Sequence, residues 1–222
     1  MAKIKAPKAS PTIDMTPMVD LAFLLVTFFM LSANFRSDEP VQVDTPSSIA
    51  DAEIPKNVIL ITVDKEGRVL YGFTGGQEAR KNLLIKMADK YKVKFNKTQL
   101  EEFSILPSFG CSIKQLPEYL EMESEERKHL KTSIPMDSTN NQLKDWIYFG
   151  NIEGLASGKV KFEEAVNKNP ETEMNEYKPK FILKVDGKAL YEHAKNVIEI
   201  FRDLDLNNLN FVTSLEGGGE KH

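Results

Sequence analysis

Cysteine is nearly absent from this 222-residue chain, and the single one, Cys111, excludes an internal disulfide. Histidine is scarce as well. The three histidines, His129, His193 and His222, show no spacing with one another or with Cys111 that is typical of a metal site. We therefore predict no metal and no cofactor. Cys111 is predicted to be a small buried apolar residue, with an intermolecular bridge as the alternative.

Positive charge is also in short supply, because 29 Lys and Arg face 33 Asp and Glu, a formal net charge of −4. The basic residues Lys3, Lys5 and Lys8 precede an apolar run, and the body of the chain is acidic. This distribution is not the pattern of a nucleic-acid binder. With 41% apolar and 28% charged residues, the composition is that of a globular domain with appendages rather than a disordered chain.

Only one long apolar run occurs, over residues 18–35, and Asp20 is its single ionisable residue. As a helix it would rise about 27 Å, close to the thickness of a hydrocarbon core. We predict a transmembrane helix over 18–35 after a cytoplasmic segment over 1–17. The lysines before the run place the chain beyond Arg36 across the membrane, which is the periplasm in a bacterium. A cleaved signal peptide is the alternative, but its apolar region is shorter and "MLSANFRS" is a weak cleavage site.

The position of Asp20 in this helix admits two interpretations. If Thr16 is the N-cap and Pro17 the first helical residue, Asp20 lies in the first turn or just beyond it, where an acid favours the helix dipole. At 100° per residue, however, Thr27 lies about 20° from Asp20 and Asn34 about 40° away, so the three form one polar stripe. Such a stripe would face a protein interior or a water-filled path. The residues alone leave capping and function both open.

The sequence after the apolar run contains two similar groups of predicted strands and helices. "NVILITVD" and "RVLYG" read as a hairpin whose turn ends at Gly67, and a helix follows. Later, "KFILKVDG", "ALYEHAKNVIEIFRDLD" and "LNFVTS" read as strand, helix and strand. We predict an α+β domain over 57–222, a small mixed sheet with helices on one face, behind an extended linker over 36–56 in which Pro40, Pro46 and Pro55 interrupt any helix.

A mainly helical insertion is predicted between the halves, at about 93–177. Its segment "LPEYLEMESEERKHLK" indicates one charged helix with a solvated face, and a second helix is predicted from Asn141, capped by Ser138 or Thr139. Three apolar residues of that second helix are predicted to pack the insertion onto the domain rather than to bind a ligand: Trp146, Ile147 and Phe149. No function of the insertion can be deduced from its sequence.

Motifs of catalysis are missing. The sequence has no G-x-S-x-G elbow, no P-loop and no His-Glu pair at metal spacing. The glycines of "GFTGG" lack the spacing of a phosphate-binding loop and indicate a turn instead. We therefore do not expect an enzyme.

The segment "IDMTPMVDLAFLLVTFFMLSA" resembles the membrane segment of the ExbD/TolR biopolymer-transport proteins, in which a proline is followed three residues later by an aspartate and then by an apolar run. The resemblance implies that Asp20 is the protonatable group through which proton-motive force drives the complex, and that Pro17 is the proline of the motif. Thr27 is a possible support on the same helix face. Asp14 stands where family members often have Asn, so nothing is carried over to it.

Beyond the membrane segment, "PVQVDTPSS" is similar to the short extended stretch that comes after the span in the family, and the final strand, helix and strand resemble the end of its periplasmic domain. The resemblance implies a single-pass inner-membrane protein inside a ring of an ExbB/TolQ-like polytopic partner, driving a TonB- or TolA-like protein. We expect a homodimer. The alternative is a membrane-anchored periplasmic adaptor or cell-wall-binding protein without proton coupling.

Overall fold

The computed structural model describes residues 15–32, 57–137, 139–167, 171 and 173–213. The chain divides into two compact units, Met1–Ser37 and Asp38–His222, each treated by itself below. Several predictions concern residues outside the described ones: Lys3, Lys5, Lys8, Asp14, Asn34, the linker over 36–56 and Ser138.

The first unit contributes one helix, α1, Thr16–Ser32. The Met15 carbonyl accepts hydrogen bonds from the N–H groups of Met18 and Val19, both at 3.1 Å. The helix therefore begins at Thr16, one residue before Pro17, which was predicted to be the first helical residue. Pro17 still lies in the first turn, where its missing N–H costs nothing. The predicted residues 33–35 lie outside the described range.

None of the helices in the described ranges combines the length and the apolar character needed to cross a membrane. The transmembrane helix over 18–35 stays a prediction.

The second unit contains six strands within its described residues: β1 Val58–Val63, β2 Val69–Phe73, β3 Met136–Asp137, β4 Asn140–Asn141, β5 Lys180–Val185 and β6 Leu209–Thr213. Its described helices are α2 Gln77–Tyr91, α3 Lys97–Ile105, α4 Leu116–Glu121, α5 Ser124–His129, α6 Gln142–Val166 and α7 Tyr191–Asp203, with one 3₁₀ turn at Met174–Glu176.

The four longer strands form one sheet in the order β2-β1-β5-β6. Strands β1 and β2 are antiparallel, whereas β5 runs parallel to both β1 and β6. The hairpin turns as predicted: Gly67 has φ 77°, and the buried Asp64 carboxylate accepts the N–H groups of Glu66 and Arg68. The predicted small mixed sheet is confirmed.

Helices α6 and α7 pack on the same face of this sheet. Ile59 of β1 and Phe181 of β5 are register partners and point to one side. A methyl group added at Gly150 of α6 would lie 3.2 Å from the Ile59 side chain, and the Phe201 ring of α7 lies 5.5 Å from that of Phe181. The sheet and the helices therefore share one core on this face.

The insertion belongs to the same core rather than to a separate domain. Phe109 exchanges both backbone hydrogen bonds with Tyr71, which covers the outer edge of β2. Trp146 is fully buried, and its ring lies 5.7 Å from Tyr71 and 4.9 Å from Phe109. The predicted packing role of Trp146 is confirmed. Cys111 is buried as predicted, and burial raises the pKa of its thiol to about 12.

Two predictions about the insertion are wrong. The charged helix is broken into α4 and α5, because Met122 and Glu123 are extended and the Arg127 side chain donates to the Leu120 carbonyl at the end of α4. The cap of α6 is Asn141, whose side chain accepts the Lys144 N–H at 3.0 Å, rather than Ser138 or Thr139.

Two other features of the insertion were not predicted. Helix α3 has a reciprocal capping box between Asn96 and Gln99. Helix α6 continues to Val166, well past its aromatic segment.

Candidate functional site

Asp20 is the fifth residue of α1, and no acid lies in the first turn of the helix. The dipole effect falls off within the first turn, so a capping role weakens at this position. The Met15 carbonyl already binds the N–H groups of Met18 and Val19. The Asp20 side chain makes no hydrogen bond or ion pair with another described residue. Asp20 is therefore not explained by the local structure of α1.

The surroundings of Asp20 are apolar and exposed. It is the only ionisable residue of α1, and every described side chain from Met15 to Met30 is exposed. The large apolar side chains include Leu21, Phe23, Leu24, Phe28 and Phe29, each more than half exposed. A contiguous apolar surface of this kind marks contact with lipid or with another protein.

Pro17 and Asp20 share one side of the helix. Together with Thr16, Val19 and Phe23 they line a shallow depression on its surface. The spacing of three residues places the proline ring one turn before the carboxylate. The structure thus brings two of the predicted site residues together.

Thr27 lies seven residues after Asp20 on the same uninterrupted helix, so both occupy one face. Its hydroxyl donates to the Leu24 carbonyl at 2.9 Å, which is the local alternative to a role in a proton path. The hydroxyl oxygen keeps its acceptor capacity for a partner side chain. The third residue of the predicted stripe, Asn34, lies outside the described residues.

Several charged residues of the second unit have structural partners. Within the described ranges, no group of three or more His, Cys, Asp or Glu side chains could hold a metal ion. Helices α2 and α6 are joined by ion pairs between Lys86 and Glu153 and between Lys90 and Asp145, each at 2.5 Å. The Tyr91 hydroxyl donates to the Asp145 carboxylate at 2.7 Å. Burial and the neighbouring carboxylate raise the pKa of Tyr91. These contacts fix α6 to α2.

Sequence reasoning missed Asn57 and the glycines of α6. Asn57 is 2% exposed, has φ 79°, and donates from its side-chain amide to the carbonyls of Gly154 and Tyr177. The signal in the sequence was a glycine at every fourth position, Gly150, Gly154 and Gly158, which places all three on one helix face. Such a face lets another backbone approach closely.

A family model described as biopolymer transport protein ExbD/TolR matches residues 7–106. The match includes α1 with Pro17 and Asp20, the β1–β2 hairpin, α2 and α3, and it ends one residue after α3. No curated protein and no solved structure matches the chain significantly.

Proposed function

We propose, from the premise that residues 7–106 match the ExbD/TolR family of biopolymer transport proteins, that this chain is a proton-motive-force-coupled subunit of an inner-membrane energy-transducing complex. One observation carries the proposal. Inside the matched region, Asp20 is the single ionisable group of a helix whose other side chains form an exposed apolar surface. An acid within an apolar helix that must meet lipid or protein indicates a functional site.

The chemistry rests on the cost of moving a carboxylate out of water. An ionised Asp20 is stable in a hydrated vestibule and costly inside an apolar partner ring, whereas its protonated form carries a far smaller penalty. Uptake of a proton on one side would let α1 move relative to the ring, and its release on the other side would reset the helix. Thr27, on the same face, would contact the proton path or the partner's side chains.

The partners and topology form part of the proposal. The lysines at 3, 5 and 8 support a cytoplasmic N-terminus, with α1 inserted as a single pass and the second unit in the periplasm. An ExbB/TolQ-like polytopic protein would surround α1. The chain itself is expected to form a homodimer. The second unit would pass the motion on to a TonB- or TolA-like protein and so drive transport across the outer membrane.

Replacing Asp20 by Asn tests the proton role directly. Asn keeps the size and hydrogen-bonding groups of the side chain but does not take up and release a proton. The loss of a charge near a helix start costs only about 0.3–1 kcal/mol, so folding and membrane abundance should hold. We expect energised transport in cells to be abolished while binding to the polytopic partner persists. Asp20→Glu, which keeps a titratable carboxylate, is the matched control and should retain part of the activity.

The same experiment separates the proposal from a membrane-anchored adaptor. Near-normal transport by the Asp20→Asn protein, at equal abundance in the membrane, would end the proton role and leave an anchor. Topology is checked in spheroplasts, where added protease should digest the chain after Arg36 and spare an N-terminal tag. Copurification in mild detergent with a polytopic protein checks the assembly, and recovery as a lone monomer would favour the adaptor.

A further inference from the structure

Asn57 joins three parts of the second unit at the point where the sheet begins. It precedes β1, and its side-chain amide donates to the carbonyls of Gly154 in α6 and of Tyr177, both at 2.8 Å. Its own carbonyl accepts the Lys180 N–H at 3.0 Å. With φ 79° and 2% exposure, Asn57 holds a backbone conformation that is uncommon for a residue with a side chain.

The glycine face of α6 makes these contacts possible. A methyl group at Gly158 would collide with the Tyr177 carbonyl. One at Gly154 would come within 3.0 Å of both the Asn57 side-chain oxygen and the Pro179 ring. Glycine costs helix stability, about 1 kcal/mol relative to alanine, so its presence at both positions needs a reason. The reason here is close approach of two backbone segments to α6.

The two segments held by α6 are the starts of neighbouring parallel strands. Val58 of β1 and Lys180 of β5 are register partners, so Asn57 and Tyr177 lie at the same end of the sheet. The Ser157 hydroxyl of α6 also donates to the Gly75 carbonyl, just before α2, at 2.7 Å. Helix α6 of the insertion therefore contacts the residues that precede β1, β5 and α2.

We propose that Asn57 and the glycine face of α6 form a latch, defined as Asn57, Gly154, Gly158 and Tyr177, that bears the load arriving from the membrane helix. Asn57 is the residue through which the chain that follows α1 enters β1. That the load comes from α1 depends on the proposed function. The existence of the latch depends only on the contacts described above.

The latch changes how tension acts on the sheet. Without it, a pull on residue 57 would act on the first residues of β1 alone. With it, the same pull acts at once on α6 and on the start of β5, which are fixed in the core. This assigns a role to the insertion: it stiffens the junction between the connecting segment and the sheet.

Asn57→Gly tests the latch in the full-length protein in mild detergent. Glycine accepts φ 79° without strain, so the change removes the two amide hydrogen bonds and leaves the backbone allowed. We expect amide hydrogen exchange of Val58 to Leu60 and of Tyr177, Lys178 and Lys180 to rise at least about tenfold. Lys92→Gly is the matched control, since Lys92 is exposed and also has positive φ, 55°, and it should leave both segments unchanged. Unaltered exchange in Asn57→Gly would overturn the latch.

A pulling experiment tests whether the latch bears load. The full chain is tethered by tags at its two ends in optical tweezers, so that force reaches the sheet through residue 57. The unfolding force of the second unit should fall for Asn57→Gly, and for Gly158→Ala, which acts from the α6 side. It should be unchanged for Lys92→Gly. Equal forces for all variants would refute load bearing. Transport by Asp20→Asn tests the proposed function separately, and neither outcome decides the other.

Discussion

Trp146→Ala is expected to destabilise the whole second unit and not the insertion alone. Trp146 is completely buried in α6, and its ring contacts those of Tyr71 in β2, Phe103 in α3 and Phe109 at the sheet edge. Truncation of a buried aromatic to Ala costs about 3–5 kcal/mol. The indole N–H has no hydrogen-bond partner among the described residues, so the loss is one of packing.

Urea unfolding of the full-length protein in mild detergent measures this cost. With an m-value of about 2 kcal/mol per molar, a loss of about 3–5 kcal/mol moves the midpoint down by roughly 1.5–2.5 M. Tyr148→Ala is the matched control, because Tyr148 lies on the same helix but is 50% exposed. Its midpoint should shift by less than about 0.5 M, as expected for a surface substitution.

The native protein provides the decisive comparison. Trp146 is the only tryptophan of the chain, so its fluorescence reports on the insertion, while circular dichroism reports on all helices and strands. If the insertion shares the core of the sheet, the two signals should change at the same urea concentration. A fluorescence transition at distinctly lower urea, or a Trp146→Ala protein whose circular dichroism midpoint is unchanged, would refute the shared core.

The same core supports two further predictions. Burial raises the pKa of the Cys111 thiol from 9.0 to about 12, so the thiol should resist a maleimide at pH 8 until the protein unfolds, and rapid labelling of the native protein would contradict this. Because the pKa is higher in the folded state than in the unfolded state, the contribution of the thiol to stability is complete below pH 9 and is lost as the pH rises toward 12. The Glu153 side chain is 8% exposed, whereas the side chain of its partner Lys86 is 40% exposed and reaches solvent. Lys86→Met, which strands a buried carboxylate, should therefore cost on the order of 3 kcal/mol in urea unfolding, and Glu153→Gln clearly less; the reverse order would contradict the argument.

The sheet was predictable because its signals are local. Alternation in "NVILITVD" and "KFILKVDG" identified β1 and β5, and Gly67 marked the turn. The amphipathic pattern identified α7, whose Val197 and Phe201 are buried in the core. The strand order, with β5 between β1 and β6, could not be deduced from these local patterns, because parallel strands that are distant in the sequence pair only in the folded protein.

The insertion was less predictable because its boundaries depend on distant contacts. The break between α4 and α5 coincides with the bond from Arg127 to the Leu120 carbonyl, which no helix periodicity encodes. Helix α6 continues through three glycines, which lower helix propensity but permit close packing on Asn57 and Tyr177. At the site, sequence alone identified Asp20 and Pro17, whereas their position on one side of α1 and the bond of the Thr27 hydroxyl to the Leu24 carbonyl came from the structure.

The matched region 7–106 cannot be the folding unit by itself. Within it, β1 pairs on one side with β2, but its other edge is completed by β5, whose first residue, Lys180, lies far beyond the match. The outer edge of β2 is likewise covered by Phe109, which belongs to the insertion. A sheet edge left open in this way presents unpaired N–H and C=O groups and invites association with other chains. Because α6 contacts the residues that precede β1 and β5, removal of the insertion would expose the outer edge of β2 and release Asn57 at the start of β1. The part of the chain that the family model matches therefore depends, for its fold, on the part that the model does not match.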